Sequence, residues 1–314
     1  MAQGIVLKST GSWYSVRLDT GDVVECRIVG KFRLGEMDVT NPVAVGDVVQ
    51  TTKEPDGAWT ITNIAPRRNY VVRQSPHNPH QVHLMASNID QAVLVSTVVQ
   101  PNLKPGFIDR FLMMTEPYDI PVIIVFNKWD LYKQKDRDTY HFLEAVYTAL
   151  NYEVTYTSVL TGERITGLKQ KLVNKTTLFS GQSGVGKSSL LNVCLPGLDQ
   201  RVALLSAYSG KGQHTTTFAE MFDLEDGGSV IDTPGIKSLS FNHLEIMDVA
   251  HNFRELFAYS KKCKFSDCTH RNEPNCAVKK ALEEEAISAW RYQNYLAIVD
   301  EIEKQNYWEL KKNV

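Results

Sequence analysis

No stretch of this sequence holds the roughly 18 consecutive apolar residues that crossing a bilayer takes. Its N-terminal Met1-Ala2-Gln3-Gly4-Ile5 lacks a basic region followed by an apolar run. No secretory signal is therefore expected, and the chain reads as cytoplasmic with no membrane partner. Internal repeats and low-complexity tracts are missing as well. Neither sign of charge is in excess: the formal net charge is −2, so any contact with nucleic acid must come from a local basic surface. Cysteine is scarce, with five in 314 residues, unevenly placed. Cys26 and Cys194 stand alone and read as small core residues, while the other three crowd between residues 263 and 276, which suggests a metal rather than disulfides.

What is present is an ordinary globular composition, 43% hydrophobic and 22% charged, in a chain long enough for two or three domains. Nothing demands more than a monomer. Residues 1–66 hold about five short alternating stretches separated by turn signals, among them Gly4-Ile5-Val6-Leu7, Trp13 to Leu18 and Val23 to Val29. That pattern predicts a small β-barrel, and an OB-fold fits the size. With six Lys/Arg against eight Asp/Glu in that span, composition alone carries no RNA-binding claim. Residues 67–87 read as a basic linker: Arg67, Arg68 and Arg73 occur with His77, His80 and His83 and no carboxylate, as a solvated connection or a phosphate-contacting segment.

Residues 88–241 change to an α/β pattern. Ala92 to Val99 and Val122 to Phe126 are apolar runs typical of buried parallel strands, and Gly106 to Tyr118 between them has helical spacing. Further strands are expected at Glu153–Tyr156, Thr176–Phe179, Phe218–Leu224 and Ser229–Ile231, giving a doubly wound sheet. Residues 242–314 turn helical. There Leu282, Ile287, Trp290, Tyr295, Ile298 and Ile302 predict one amphipathic helix from Val278 to about Leu310, packed on the rest.

Three motifs on the α/β segment carry chemistry. Gly181-Gln182-Ser183-Gly184-Val185-Gly186-Lys187-Ser188 matches GxxxxGK[ST], preceded by an apolar strand and followed by the helix-like Ser188-Ser189-Leu190-Leu191. Its glycines let backbone N–H groups curl around phosphates, Lys187 would neutralise the β- and γ-phosphates, and Ser188 would ligate Mg²⁺; Ser189 is counted with the loop. Asp232-Thr233-Pro234-Gly235 follows a strand, so Asp232 would hold the Mg²⁺ and the Gly235 N–H would read the γ-phosphate. Asn127-Lys128-Trp129-Asp130 has the NKxD form that reads guanine: Asp130 accepts from N1–H and the 2-amino group, Asn127 supports the purine edge, and the Lys128 stem lies along the base. Ser158, in Thr157-Ser158-Val159, is a fifth candidate contact. The order is unusual, because NKxD precedes the phosphate loop that ordinarily opens such a domain. That is the order of a circularly permuted GTPase.

Between the phosphate loop and Asp232 lies Gly210-Lys211-Gly212-Gln213-His214-Thr215-Thr216-Thr217. One of its threonines is expected to close over Mg²⁺ and the γ-phosphate, with Thr216 taken as the contact. Ile236 stands where a glutamine often orients the attacking water, and His214 is the substitute donor. The cluster Cys263-x4-Cys268-x-His270-x5-Cys276 offers three thiolates and an imidazole, which complete a tetrahedron around a structural Zn²⁺. Its surroundings are locally basic, with Lys261, Lys262, Lys264, Arg271, Lys279 and Lys280, so the knuckle is either an RNA-backbone binder or a solvated face.

Taken together, NKWD, GQSGVGKS, GKGQHTTT, DTPG and the Cys/His cluster resemble the RsgA (YjeQ/YloQ) family of circularly permuted GTPases that depend on the small ribosomal subunit. The resemblance covers the whole chain. It implies an OB-fold, a GTPase domain and a zinc domain that clamp the small subunit and its rRNA during late maturation, with GTP hydrolysed to GDP and phosphate. It also implies a role in hydrolysis for the histidine matching His214. The family's Gly-Arg-Gly-Arg segment reads Gly210-Lys211-Gly212-Gln213 here, which halves its basic character. Two other readings stay open: a nucleotide-gated RNA-binding module whose hydrolysis is incidental, and a GTPase acting on a protein partner. The permutation leaves the Asp232–Gly235 segment a few residues before the zinc region, so its movement is expected to pass to that region.

Overall fold

A computed structural model describes residues 1–28, 41–74, 82–195, 218–233 and 244–312. Five strands come first: β1 (Ala2–Ser9), β2 (Tyr14–Leu18), β3 (Val23–Ile28), β4 (Val48–Lys53) and β5 (Trp59–Ile64). Strand β1 pairs antiparallel with both β2 and β4, β2 with β3, and β4 with β5, while β3 runs parallel to β5. The ring β1-β2-β3-β5-β4 therefore closes, as expected of an OB-like barrel, and closure removes the exposed edges that an open sheet would leave. Alternate residues point inward, so Val6, Tyr14, Val16, Cys26, Val49 and Ile61 fill the interior. Burial, aided by the neighbouring Glu25, pushes the Cys26 thiol up to about 11; it is an inert core residue at neutral pH, as read from its isolation.

Residues 67–87 are not a solvated linker. Over their described part they form a hairpin of β6 (Tyr70–Gln74) and β7 (Val82–Ser87). Two of its basic residues find carboxylate partners in the flanking units. Arg67 donates twice, at 2.6 Å, to the fully buried carboxylate of Asp47 in the barrel, which also accepts the Ser87 hydroxyl at 2.6 Å. Arg68 donates to Asp90 at 2.6 Å. The carboxylates come from the flanking units, which is why the segment itself contains none.

Six strands follow in a second sheet: β8 (Gln91–Ser96), β9 (Val122–Phe126), β10 (Glu153–Tyr156), β11 (Thr176–Gly181), β12 (Glu220–Asp223) and β13 (Ser229–Asp232). Their order is β10-β9-β8-β11-β13-β12, with the first five parallel and β12 antiparallel to β13. A bridge between Lys8 and Glu220 joins this sheet to the barrel. Every residue of β8 and β9 is buried, because both faces are covered. Ala92, Leu94, Val122, Ile124 and Phe126 face α1 (Phe107–Thr115) and α2 (Gln134–Thr148), while Val93, Val95, Ile123 and Val125 face α3 (Ile165–Leu172) and α4 (Lys187–Cys194). Cys194, on α4, is likewise buried.

The C-terminal segment is helical: α5 (Ile246–His251), α6 (Arg254–Ser260), α7 (Ala277–Glu283) and α8 (Ala289–Lys312). The one long helix expected from Val278 is therefore two. Glu285 adopts a left-handed φ of 58° and the Ala286 N–H closes back on the Ala281 carbonyl at 2.8 Å, which ends α7. Apolar residues in and between these helices, among them Phe253, Leu256, Val278, Tyr295 and Ile298, merge with the α1/α2 core. At the junction a buried Arg291 donates to Asp109 of α1 at 2.5 Å and to Glu255 of α6 at 2.7 Å, and the Tyr147 hydroxyl donates to Asp109 at 2.7 Å. No described helix is long and apolar enough to cross a membrane.

Candidate functional site

Because β8, β9, β10, β11 and β13 are parallel, their C-terminal ends at Ser96, Phe126, Tyr156, Gly181 and Asp232 open on one edge of the sheet. Open α/β sheets bind ligands at such an edge. Strand β11 delivers the glycine-rich loop there, and α4 starts at Lys187 so that its unpaired N–H groups face the loop. Two glycines are required by geometry. A Cβ on Gly181 would run into the Val95 carbonyl, and Gly186, at φ 86°, would place one 2.5 Å from Asn127 Nδ2. Gln182 and Lys187 are buried, whereas Ser183, Gly184, Ser188 and Ser189 are exposed and available to a ligand. Lys187 Nζ ion-pairs with Asp232 at the end of β13 and donates to the Thr233 carbonyl at 2.7 Å. Thr233 in turn donates through its hydroxyl to the Phe179 carbonyl at 2.9 Å. The motif reading gave Thr233 no part in positioning Lys187; its place directly after Asp232 was the available signal.

The loop after β9 lies against the glycine-rich loop. Asn127 donates through its side-chain amide to the Val185 carbonyl at 3.0 Å, and Thr157 donates to the Asn127 side-chain oxygen at 3.1 Å. Lys128, in a left-handed conformation at φ 64°, arches over to the Gly184 carbonyl at 2.6 Å and the Gln100 carbonyl at 2.7 Å. The segment holding Gln100 was not foreseen as part of the site, since a carbonyl leaves no trace in the residue pattern. Asp130 is exposed and accepts from the Ser158 hydroxyl at 2.5 Å. Side chains as far apart in sequence as Asn127 and Asp232 thus converge on this edge. Thr216, His214 and Gly235 lie outside the described residues, as does the Gly210–Gln213 segment.

The Cys/His cluster forms as the spacing predicts. Ligand atoms of Cys263, Cys268, His270 and Cys276 all lie within 4.8 Å of one another, so the group can hold a metal ion. His270 turns Nδ1 toward the sulfurs, 3.5 Å from Cys276 and 3.6 Å from Cys263, and the two sulfurs are 3.9 Å apart. Burial pushes the imidazole below its ordinary value, which keeps it neutral and its lone pair free. Burial and the neighbouring sulfurs push the Cys268 thiol up to about 12; a bound cation would reverse that balance and favour thiolate. Sequence reasoning missed the supports. Glu273 accepts from the Thr269 and Arg271 N–H groups at 2.7 and 2.8 Å, while Tyr292 and Tyr295 donate to the His270 and Thr269 carbonyls.

A parallel sheet with a P-loop between β11 and α4, an NKxD loop from an earlier strand and a DxxG aspartate from a later one defines the class: a circularly permuted P-loop GTPase, here set between a closed β-barrel and a helical region with a metal-capable Cys3His cluster. Residues 64–242 match the family described as RsgA GTPase, and residues 3–61 match the RsgA N-terminal domain. The chain belongs to the RsgA GTPase family. It is 47% identical to the small ribosomal subunit biogenesis GTPase RsgA of Bacteroides fragilis over 97% of this chain and 98% of that protein. The RsgA of Flavobacterium psychrophilum is 45% identical over 95% of this chain and 92% of its own length. The crystal structure of YjeQ from Thermotoga maritima superposes with a TM-score of 0.74 at 36% identity, over 96% of this chain and 98% of that one. YloQ, described as a circularly permuted GTPase, gives 0.69 at 33%, over 96% and 95%.

Proposed function

We propose that this protein hydrolyses GTP to GDP and phosphate in the cytoplasm when stimulated by the small ribosomal subunit, and acts on rRNA as a late maturation checkpoint. The observation that carries the nucleotide half is the bond from Asn127 to the Val185 carbonyl, which docks the guanine-reading loop on the phosphate-reading loop. In this reading Gly181 to Ser189 cradle the phosphates with backbone N–H groups. Lys187 exchanges its ion pair with Asp232 for phosphate oxygens, and Asp130 and Ser158 read the base edge. Ser188 and Asp232 are the residues that would hold Mg²⁺, which neutralises phosphate charge when bound. Thr216 and Gly235 would sense the γ-phosphate, and His214 would orient water.

The same reading assigns zinc to Cys263, Cys268, His270 and Cys276. Zn–S bonds of about 2.3 Å and Zn–N of about 2.0 Å in a tetrahedron put neighbouring ligand atoms roughly 3.6–3.8 Å apart. The separations of 3.5, 3.6 and 3.9 Å fit that figure. Zinc bound there would supply a structural cross-link, and four protein ligands would leave no place for a reacting water. The domains are read as barrel (1–66), connecting segment (67–87), GTPase (88–241) and zinc region (242–314). The names of the RsgA relatives support the ribosomal half. The test is GTP turnover with and without isolated small subunits across a salt series, for the native protein and His214→Ala. Stimulation that falls with salt and disappears in the variant is expected; unstimulated turnover, with the variant as active as the native protein, would refute the reading.

A further inference from the structure

The variable position of Asn127-Lys128-Trp129-Asp130 is occupied by the largest side chain available, and that side chain is not simply core. Trp129 is 8% exposed and lies flat on Tyr156, with ring centroids 3.9 Å apart and planes 18° from parallel. Tyr140 meets the indole edge-on at 5.1 Å. A guanidinium closes each end of the stack: Arg164 lies 3.8 Å from the Tyr156 ring and Arg137 5.1 Å from the Trp129 ring. Such cation–π caps strengthen an aromatic pair and resist sliding of one ring over the other.

The two rings stand at the roots of the two loops that face the base. Trp129 immediately precedes Asp130, and Tyr156 ends β10 two residues before Ser158. The backbones are tied at the same level, with the Trp129 N–H donating to the Thr157 carbonyl at 3.0 Å. The Ser158 hydroxyl then meets Asp130 at 2.5 Å. A leucine at either position would still bury apolar surface, but without a flat ring to stack it would leave the two loops free to shear. Asp130 is exposed, so its carboxylate direction depends on the backbone beneath it.

We propose that Trp129 and Tyr156 are a positioning pair for guanine recognition: the capped stack fixes the separation and rotation of the Asp130 and Ser158 loops, and so sets how sharply the site distinguishes a base carrying a 2-amino group from one without it. The inference rests on the guanine reading of Asp130. Its test is the ratio of dissociation constants for inosine diphosphate, which lacks that amino group, and GDP, with ADP as a further reference. A hydrogen bond to a charged carboxylate makes the native ratio roughly tenfold or more.

Tyr156→Leu and Trp129→Leu are expected to bring the ratio down toward unity, a loss of roughly tenfold, while Tyr156→Phe, which keeps the ring, retains the native ratio. A side chain with a merely structural role would lower melting temperature or active fraction and leave the ratio alone. Should Trp129→Leu fail to fold, Tyr156→Leu carries the test, since Tyr156 is only partly buried. A native preference for GDP that both leucine variants keep overturns the stack's role alone. A native protein indifferent to GDP, inosine diphosphate and ADP overturns the guanine reading and the stack's role with it.

Discussion

The nucleotide edge of the sheet gathers its polar groups from Asn127, Ser158, Lys187 and Asp232, each at the end of a different strand or at the head of a helix. The Cys3His cluster takes all four ligand atoms from Cys263 through Cys276, a stretch of turns in which His270 and Asn275 adopt left-handed conformations. In the first region the positions are fixed before any ligand arrives, by strand register in a sheet buried on both faces. In the second the ligands are themselves the buried residues, with His270 1%, Cys268 3% and Cys276 5% exposed. The contrast explains why a permuted order is tolerated in one region and a fixed spacing is needed in the other. Cutting and rejoining a sheet leaves its neighbours in place, whereas a knuckle without a core of its own has only its spacing.

The largest effect is therefore expected where the fold leans on its ligand. Zinc in isolated knuckles contributes on the order of 10 kcal/mol. Chelation, or Cys276→Ser, should abolish hydrogen-exchange protection across 261–276 while β8, β9 and β11 keep theirs. The helices around the knuckle are expected to stay docked, because Val278, Tyr295 and Ile298 belong to the core shared with α1 and α2. Loss of protection in the sheet strands at the same chelator concentration would break the contrast, by making the metal a global rather than a local element.

The junction between the two regions gives the next effect. Arg291 is 1% exposed and neutralises Asp109 and Glu255 at once. Burial alone would lower its pKa, but the two carboxylates more than offset this and hold it well above the ordinary value. Arg291→Ala strands two buried carboxylates, and removing one partner of a buried ionic group costs about 3–5 kcal/mol. Arg254, more exposed and paired with Glu116 at 2.9 Å, should cost about 1 kcal/mol or less as Arg254→Ala. Urea unfolding of the two variants measures the difference. Equal losses would mean that the C-terminal helical region is held by its apolar contacts alone. The position of this cluster bears on the expected coupling too: the region is pinned to α1 through Asp109, so any movement passed on from the segment after β13 works against a buried ionic anchor.

Much of this was legible in the sequence, and the part that was not has a common cause. The barrel strands, the apolar parallel strands, the P-loop and the Cys/His spacing are all encoded within a few residues of themselves. The pairing of β6 with β7 was not foreseen, and Arg67 finds its partner Asp47 twenty positions away. The break between α7 and α8 escaped because the apolar spacing runs on through Glu285, whose left-handed turn has no sequence mark of the kind glycine gives. The Asp109–Arg291 contact spans 182 positions, and neither residue stands out from a solvated helix face until the two are seen together. Local patterns fixed the elements; partners chosen across the chain stayed hidden.

The smallest expected effect on stability is at Asp130, and it bears most directly on the difference between the regions. The amide introduced by Asp130→Asn keeps an oxygen that can still accept from the Ser158 hydroxyl, so the loop should hold its shape. On the proposed reading of Asp130, what is lost is acceptance of the guanine N1–H and 2-amino protons by a charged group, each such bond contributing about 1.5–3 kcal/mol. Xanthine carries a carbonyl in place of that amino group, and the new amide N–H can donate to it. GDP should therefore bind at least roughly 100-fold more weakly, xanthosine diphosphate more tightly than to the native protein, and the melting temperature without nucleotide should not move. A site assembled on a preformed sheet can lose or exchange one contact and keep the others, which is a graded response. The four-ligand knuckle is expected to have no such option, since a metal ion denied one thiolate would take the local fold with it. If Asp130→Asn lowered stability as Cys276→Ser does, the nucleotide edge would also be a region that its ligand contacts hold together, and the distinction drawn from its strand register would fail.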